Sequence, residues 1–385
     1  MITQARFRLL IRSICLVVAV IFASQVLRNV AEISADDTGH LDRTVSILRN
    51  TPIAGLSAVF PAMSPFMSIC SSLAQRSLSS ALAILAVPIL VMSAFRGRWF
   101  CRWMCPTGFV SEYIGKLSTL SDKQRRVLYK SWPNIASWLL VMTLGASLIG
   151  YPVFLWLDPL SMFNGFVNMF RAPVILGTTL LGIGFCAVIV VSAWRPNLWC
   201  YRCCPLGATQ EWLKKAGSRI FVAFRRKPAY GTKWGSVSAM TWDRRTFFGL
   251  VLGGIVGATI AKFVRKSPIR PPGALAEGQF EAVCSRCGNC IGACPEKVLK
   301  PDVGEAGIAG LLAPVLEICP GYCAEWCNEC GKACPTGAIR SMTLAQKRDI
   351  SIGTARVARN KCLAWAQREY CLVCDEYCPF HAIRV

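Results

Sequence analysis

Cys284-x2-Cys287-x2-Cys290-x3-Cys294-Pro295 opens a run of clustered cysteines. It continues as Cys323-x3-Cys327-x2-Cys330-x3-Cys334-Pro335 and ends as Cys362-x8-Cys371-x2-Cys374-x3-Cys378-Pro379. The first group is the bacterial 4Fe-4S run: its close-spaced cysteines wrap one cube, and the fourth, before proline, ligates the neighbouring cube. The twelve thiolates suffice for three 4Fe-4S clusters. Structural zinc would favour separated Cys-x2-Cys pairs or histidines, and the chain has only two histidines, His40 and His381. Disulfides would not need the repeated phrase. Two tails of similar form, Pro335-Thr336-Gly337-Ala338-Ile339 and Pro379-Phe380-His381-Ala382-Ile383, are predicted to turn and fold back over a cluster as a short strand. Cys319 stands beside the second group and competes with Cys323 as a ligand.

The rest of the chain is unlike a soluble protein. Apolar residues fall in long blocks, and a formal charge of +22 is concentrated before residue 265. From Arg265 onward fifteen Lys/Arg meet twelve Asp/Glu, so the cysteine-rich part is nearly neutral. Basic loops between apolar blocks signal membrane topology rather than nucleic-acid binding, which wants a basic face on a soluble fold. Apolar runs over about 14–27, 78–95, 132–157, 173–194 and 246–264 are predicted as five spans. The first run also has the form of a cleaved signal peptide, with Ile33-Ser34-Ala35 after it. Segment 28–77 balances four arginines with four acids, and is predicted as an outer loop. Segment 96–130 holds eight basic residues against Glu112 and Asp122, and is predicted to lie inside.

The fold expected is an all-α polytopic membrane domain of about five transmembrane helices, then an α+β bacterial ferredoxin-like multi-cluster domain. Its boundaries are 1–240 for four helices, 241–265 for the last helix and 266–385 for the ferredoxin part. Trp242-Asp243-Arg244-Arg245-Thr246-Phe247-Phe248 before a soft, Gly-rich segment has the form of a twin-arginine export signal. The two arginines also serve as ordinary positive-inside residues. Either reading puts the ferredoxin part on the periplasmic side of a bacterial inner membrane.

A repeat lies inside the membrane half. Ser64-Pro65, a span, and Cys101-x3-Cys105-Pro106-x-Gly108 with Glu112 match Asp158-Pro159, a span, and Cys200-x3-Cys204-Pro205-x-Gly207 with Glu211. A duplicated helical pair would bring Cys101, Cys105, Cys200 and Cys204 together for a fourth cluster. The alternative is structural cysteines at two tight turns. Ser64 and Asp158 are expected as helix caps, with a quinol site near them as the rival role, and Glu112 and Glu211 as carboxylates near helix starts.

No histidine pair exists for a b-type haem and no Cys-x2-Cys-His for a c-type one. No Gly-x-Gly-x2-Gly suggests a nucleotide, and no nucleophile–base constellation stands out. The chemistry expected is one-electron transfer, without a catalytic residue, haem, nucleotide or nucleic acid.

With these motifs in view, the membrane half resembles the quinol-dehydrogenase-type membrane subunit of the periplasmic nitrate reductase electron-donor module. It is similar also to methylamine-utilisation and nitrous-oxide-regulator relatives. The part from Arg244-Arg245 through the wide Cys362…Cys371 group resembles that module's twin-arginine-exported polyferredoxin. The resemblance implies a fusion of two usually separate subunits, passing electrons from membrane quinol to a periplasmic redox partner. A maturation or regulatory protein, supplying electrons to keep a partner metalloenzyme active, is the alternative. A cytoplasmic two-cluster tail and a fourth cysteine group, common in these relatives, are not seen, so nitrate is not specifically implied.

Overall fold

The computed structural model describes residues 2–24, 53–77, 84–117, 124, 132–170, 176–225, 244–262, 268–307, 309–318, 321–376 and 378. They fall into two compact units, residues 1–350 and 351–385. The first contains both the apolar half and the first two cysteine groups.

The apolar half is helical: α1 (Ile2–Ser24), α2 (Ile53–Ala62), α3 (Pro65–Gln75), α4 (Ala86–Arg96), α5 (Trp99–Trp103), α6 (Pro106–Leu117), α7 (Ile135–Ile149), α8 (Pro159–Met169), α9 (Leu176–Trp194), α10 (Pro205–Arg225) and α11 (Arg244–Lys262). A π-helical turn, Trp199–Cys203, precedes α10 as α5 precedes α6. The repeat seen in the sequence is therefore a repeat of elements. A capped short helix (α3, α8) leads to a second helix (α4, α9), a one-turn Cys-x3-Cys element and a further helix (α6, α10).

Both short helices begin on a cap followed by proline, whose fixed φ suits the first helical turn. Ser64 accepts from Met67 N at 3.3 Å. Asp158 accepts from Leu160 N and Ser161 N, each at 3.2 Å. The two caps also meet, Ser64 Oγ donating to Asp158 Oδ1 at 2.6 Å, with both residues 0% exposed. Phe66, Phe100, Leu160 and Leu206 pack around this junction in one core.

Two helices are long and apolar enough to cross a membrane, Arg6–Ser24 and Gly177–Trp194, with a third if the pair Gly55–Ala62 and Pro65–Gln75, bent by 98°, counts as one broken span. Five full spans are thus not what the described residues form. The 132–157 run yields a 15-residue helix, because Gly150 turns left-handed (φ 96°) and a 3-10 turn at Leu155–Leu157 follows. Ala86–Arg96 and Thr246–Ile260 are short apolar helices. Residues 78–83 of the second expected run and 263–264 of the fifth lie outside the described residues. The expected outer loop 28–77 is corrected too. Its uncharged part, residues 53–75, is α2 and α3, while all its acids fall before residue 51.

α1 is packed in place: Ala19 and Ala23 are buried, Phe22 meets Phe60 edge-on at 6.2 Å, and Arg12 pairs with Glu112 of α6. The twin-arginine-like helix α11 lies along α7 through Gly249, Gly253 and Gly257. A Cβ at Gly253 would stand 2.1 Å from Met142 O, and one at Gly145 would stand 2.2 Å from Leu250 O. Small residues at four-residue spacing let helix backbones approach closely where water gives no apolar driving force. The glycines that read as a soft export segment thus have a packing role.

The ferredoxin part follows with α12 (Gln279–Val283), α13 (Asn289–Ala293), β1 (Leu299–Pro301), β2 (Pro314–Leu316), α14 (Glu329–Lys332) and α15 (Leu344–Arg348). β1 and β2 pair antiparallel, Leu299 opposite Leu316. The tail after Cys334 folds back as expected: Leu275 N donates to Ala338 O at 3.0 Å and Arg340 N to Gly273 O at 2.8 Å.

Gly253→Val is expected to force α7 and α11 apart and cost about 1–3 kcal/mol of stability, seen as a lowered Tm of the detergent-purified chain. Gly254→Ala, whose added Cβ has its one close contact at the terminal Cδ1 of Ile149, 2.8 Å away, should lower it less.

Candidate functional site

The two Cys-x3-Cys-Pro elements face one another across a cleft of about 940 Å3, lined by Cys101, Cys105, Cys200 and Cys204. Each is closed by the same local geometry. Cys105 N donates to Phe100 O at 3.1 Å and Cys204 N to Trp199 O at 2.8 Å, wide turns that place both cysteines of a motif on one side. Gly108 N donates to Cys105 Sγ at 3.3 Å, and Gly207 N–H bonds Cys204 in the same way. A Cβ at Gly108 would lie 3.0 Å from Cys101 O and one at Gly207 3.1 Å from Cys200 O. Glycine is what lets each turn close, so the shared Cys-Pro-x-Gly phrase has a steric reason.

Burial pushes all four thiols up, and for Cys101, Cys105 and Cys204 neighbouring sulfurs add to the rise. Such thiols stay neutral unless a cation or cluster holds them as thiolates. The surroundings favour an anion: Arg8, Arg12, Arg96, Arg98, Arg102 and Lys116 line the cleft against Glu112. Arg98 donates to Cys200 O at 2.5 Å and pairs with Glu211 at 2.7 Å. Glu112 pairs with Arg8, Arg12 and Lys116. Both glutamates are the seventh residues of their helices, so their part is to hold cations at the cleft, not to complement helix dipoles. Gln210 Nε2 donates to Cys101 Sγ at 3.3 Å, and the Trp199 indole N–H is buried without a partner among the described residues. This donor set fits an iron–sulfur cluster.

In the ferredoxin part the cysteines exchange between groups. One pocket is lined by Cys284, Cys287, Cys290 and Cys334, the other by Cys294, Cys323, Cys327 and Cys330. Each group thus gives its cysteine before proline to the other pocket, as the motif predicts. Arg286 (φ 55°) and Gly288 (φ 73°) take the left-handed conformation within the first run. Burial pushes Cys287 and Cys330 up to about 12. Ile339 N donates to Cys334 Sγ at 3.4 Å, so the returning tail also covers a ligand. Cys323 lines the second pocket; Cys319, its rival, lies outside the described residues.

The third group lies in the second unit. Cys362 stands just before α16 (Leu363–Ala366), Cys371 precedes α17 (Val373–Glu376), Cys374 sits within it and Cys378 follows. Spacing alone carries the reading of these four.

The first pocket rests on the apolar half. Asn168 Nδ2 donates to Cys287 O at 3.1 Å and to Asn289 Oδ1 at 2.9 Å. Asn164 Nδ2 donates to Ser57 O at 2.8 Å and Asn289 Nδ2 to the same oxygen at 2.9 Å. Gln75 Nε2 donates to Thr336 O at 2.9 Å. Sequence reasoning missed these asparagines, since nothing in their local spacing separates them from other polar residues in an apolar helix. α8 therefore touches both sites. Pro159 at its start lines the Cys-x3-Cys cleft and accepts from Thr107 Oγ1 at 2.9 Å, while Asn168 near its end holds Cys287. α9 runs from Gly177, against Pro301 of the ferredoxin part, to Trp194, beside the second Cys-x3-Cys element, about 27 Å at 1.5 Å per residue.

Residues 79–126 and 176–227, which contain the two Cys-x3-Cys-Pro motifs, match the family described as 4Fe-4S binding domain (Fer4_5). The chain is 36% identical over 115 residues to the methylamine utilization ferredoxin-type protein MauM of Methylorubrum extorquens, covering 29% of this chain and 50% of that protein. It is 35% identical over 141 residues to the ferredoxin-type protein NapG of Escherichia coli K12, 35% of this chain and 59% of that protein. Its homologues are ferredoxin-type proteins. A 28% identity over 156 residues links it also to the ferredoxin-type protein NapH of the same organism, 38% of this chain and 50% of that protein. The matches span 50–59% of the length of these three relatives. No solved structure matches.

Cys294→Ser is expected to perturb the cluster of the second pocket and Cys334→Ser that of the first, each opposite to its sequence group. Paramagnetic resonance of the reduced chain in single and paired variants with Cys290→Ser or Cys330→Ser would show which ligands share a cluster.

Proposed function

We propose that the chain is a membrane-embedded iron–sulfur conduit that carries electrons from one face of the bilayer to the other. The observation that supports this most strongly is the placement of two cysteine-lined sites along the same helices. α8, about 16 Å long at 1.5 Å per residue, reaches from the Cys-x3-Cys cleft to the first ferredoxin pocket.

In this reading Cys101, Cys105, Cys200 and Cys204 hold one 4Fe-4S cluster. The two swapped sets, Cys284/Cys287/Cys290/Cys334 and Cys294/Cys323/Cys327/Cys330, hold two more, and Cys362, Cys371, Cys374 and Cys378 a third in the ferredoxin part. Such clusters supply one-electron oxidation and reduction. Gly108 and Gly207 donate N–H bonds to thiolates, Arg98 and its neighbours balance negative charge, and Asn164, Asn168 and Asn289 keep the first pocket seated on the apolar half. Exposed apolar side chains such as Ile14, Val17, Ile183 and Val190 on α1 and α9 would face lipid.

The basic segments around the Cys-x3-Cys cleft support a reading in which that face lies in the cytoplasm and the ferredoxin part in the periplasm of a bacterial inner membrane. The resemblance to quinol-dehydrogenase-type subunits supports membrane quinol as the donor and a periplasmic redox protein as the acceptor. Similarity of one chain to both NapG and NapH supports its reading as two ferredoxin-type subunits joined.

The test is iron content. The anaerobically purified chain should hold about sixteen irons, four per cluster, and the Cys101→Ser/Cys200→Ser variant about twelve with the ferredoxin signals intact. Equal iron in both chains would show that the Cys-x3-Cys motifs are structural.

A further inference from the structure

Among the described residues, Lys347 is the one cation that hydrogen-bonds a cysteine sulfur of the second ferredoxin pocket. Its helix, Leu344–Arg348, is fixed by a capping box in which Gln346 N donates to Thr343 Oγ1 at 3.3 Å and Thr343 N to Gln346 Oε1 at 2.9 Å. The side chain is buried, and its ammonium turns onto the Cys323 loop. It donates to Ala324 O, to Cys327 O at 2.6 Å and to Cys323 Sγ at 3.3 Å. Three protons meet three acceptors, none of them a carboxylate. Glu329, within the same cysteine group, pairs with Lys332 at 3.0 Å instead.

The first pocket is arranged differently. Arg270 beneath it pairs with Glu277 at 2.8 Å and Glu281 at 3.2 Å, and Arg286 donates to Ala309 O at 2.8 Å. Two arginines there are accompanied by two glutamates, whereas Lys347 is accompanied by none among its hydrogen-bond partners.

We propose that Lys347 is a positioning residue that raises the reduction potential of the cluster in the second pocket. This rests on the reading that this pocket holds a 4Fe-4S cluster. Reduction adds negative charge, and a fixed ammonium donating to a ligand sulfur in a low-dielectric site favours the reduced form. With both pockets loaded, that bias draws electrons toward the second cluster.

The test uses the full chain with Lys347→Gln, which keeps a donor without the charge, Lys347→Met, which keeps neither, and Lys347→Arg, which keeps the charge. Iron content and resonance-monitored redox titration are the readouts. The expected result is one cluster shifted to more negative potential in Gln and Met variants, near its original value in Arg, with the other clusters unmoved. Gln or Met variants with full iron and unshifted potentials would overturn the proposal. So would loss of that cluster's iron in both neutral variants while Arg retains it, which would make Lys347 a brace for the loop. If Cys323→Ser removes no iron, the assignment of the pocket fails, a result separate from any of these.

Discussion

The Ser64 hydroxyl and the Asp158 carboxylate meet where the two repeats touch, 2.6 Å apart and closed off from solvent. Each is already the cap of its own helix, so one bond ties the starts of α3 and α8 and thereby the two halves of the duplication. Removing the donor of a buried hydrogen bond to a charged group costs about 1.5–3 kcal/mol, and Asp158 would keep only its two backbone donors. Thr107, just after Cys105-Pro106, reaches back to Pro159 and ties the first Cys-x3-Cys element to the same junction. The facing of the two motifs across one cleft follows from that joint.

From the junction the helices run outward to the ferredoxin part. The far ends of α3 and α8 present Gln75 and Asn168, bonded to Thr336 O and Cys287 O, and Asn164 at the middle of α8 donates to Asn289. These amides donate to the ferredoxin backbone, to Asn289 and, from Asn164, to Ser57 O, so the apolar half and the first two cysteine groups form one compact unit.

The cysteine chemistry was legible because ligand spacing is local: seven residues from Cys284 to Cys290 must wrap one cube, and proline after Cys294 turns the chain toward the next. The caps were legible too, as Ser-Pro and Asp-Pro. What the sequence did not disclose depends on contacts between distant segments. Averaging charge over residues 28–77 hid α2 and α3, since the acids of that stretch lie before residue 51. Apolar runs were counted as whole spans, but the left-handed turn at Gly150 ends the helix of the third run at Ile149. The glycines of α11 read as export-signal softness because their partner, Gly145, lies more than a hundred residues earlier. Glu112 and Glu211 were placed near helix starts, whereas their arginine partners come from α1 and from the turn before Trp99.

The central claim is that electrons cross the bilayer through this one chain. The direct measurement is made in sealed vesicles holding the purified full chain, with an impermeant oxidant dye trapped inside and an impermeant low-potential reductant added outside. The account predicts reduction of the trapped dye by the intact chain and its loss in the Cys101→Ser/Cys200→Ser variant, with the ferredoxin clusters still reducible from their own side. Dye reduction that is the same in the variant, or none in a fully iron-loaded intact chain, would contradict it.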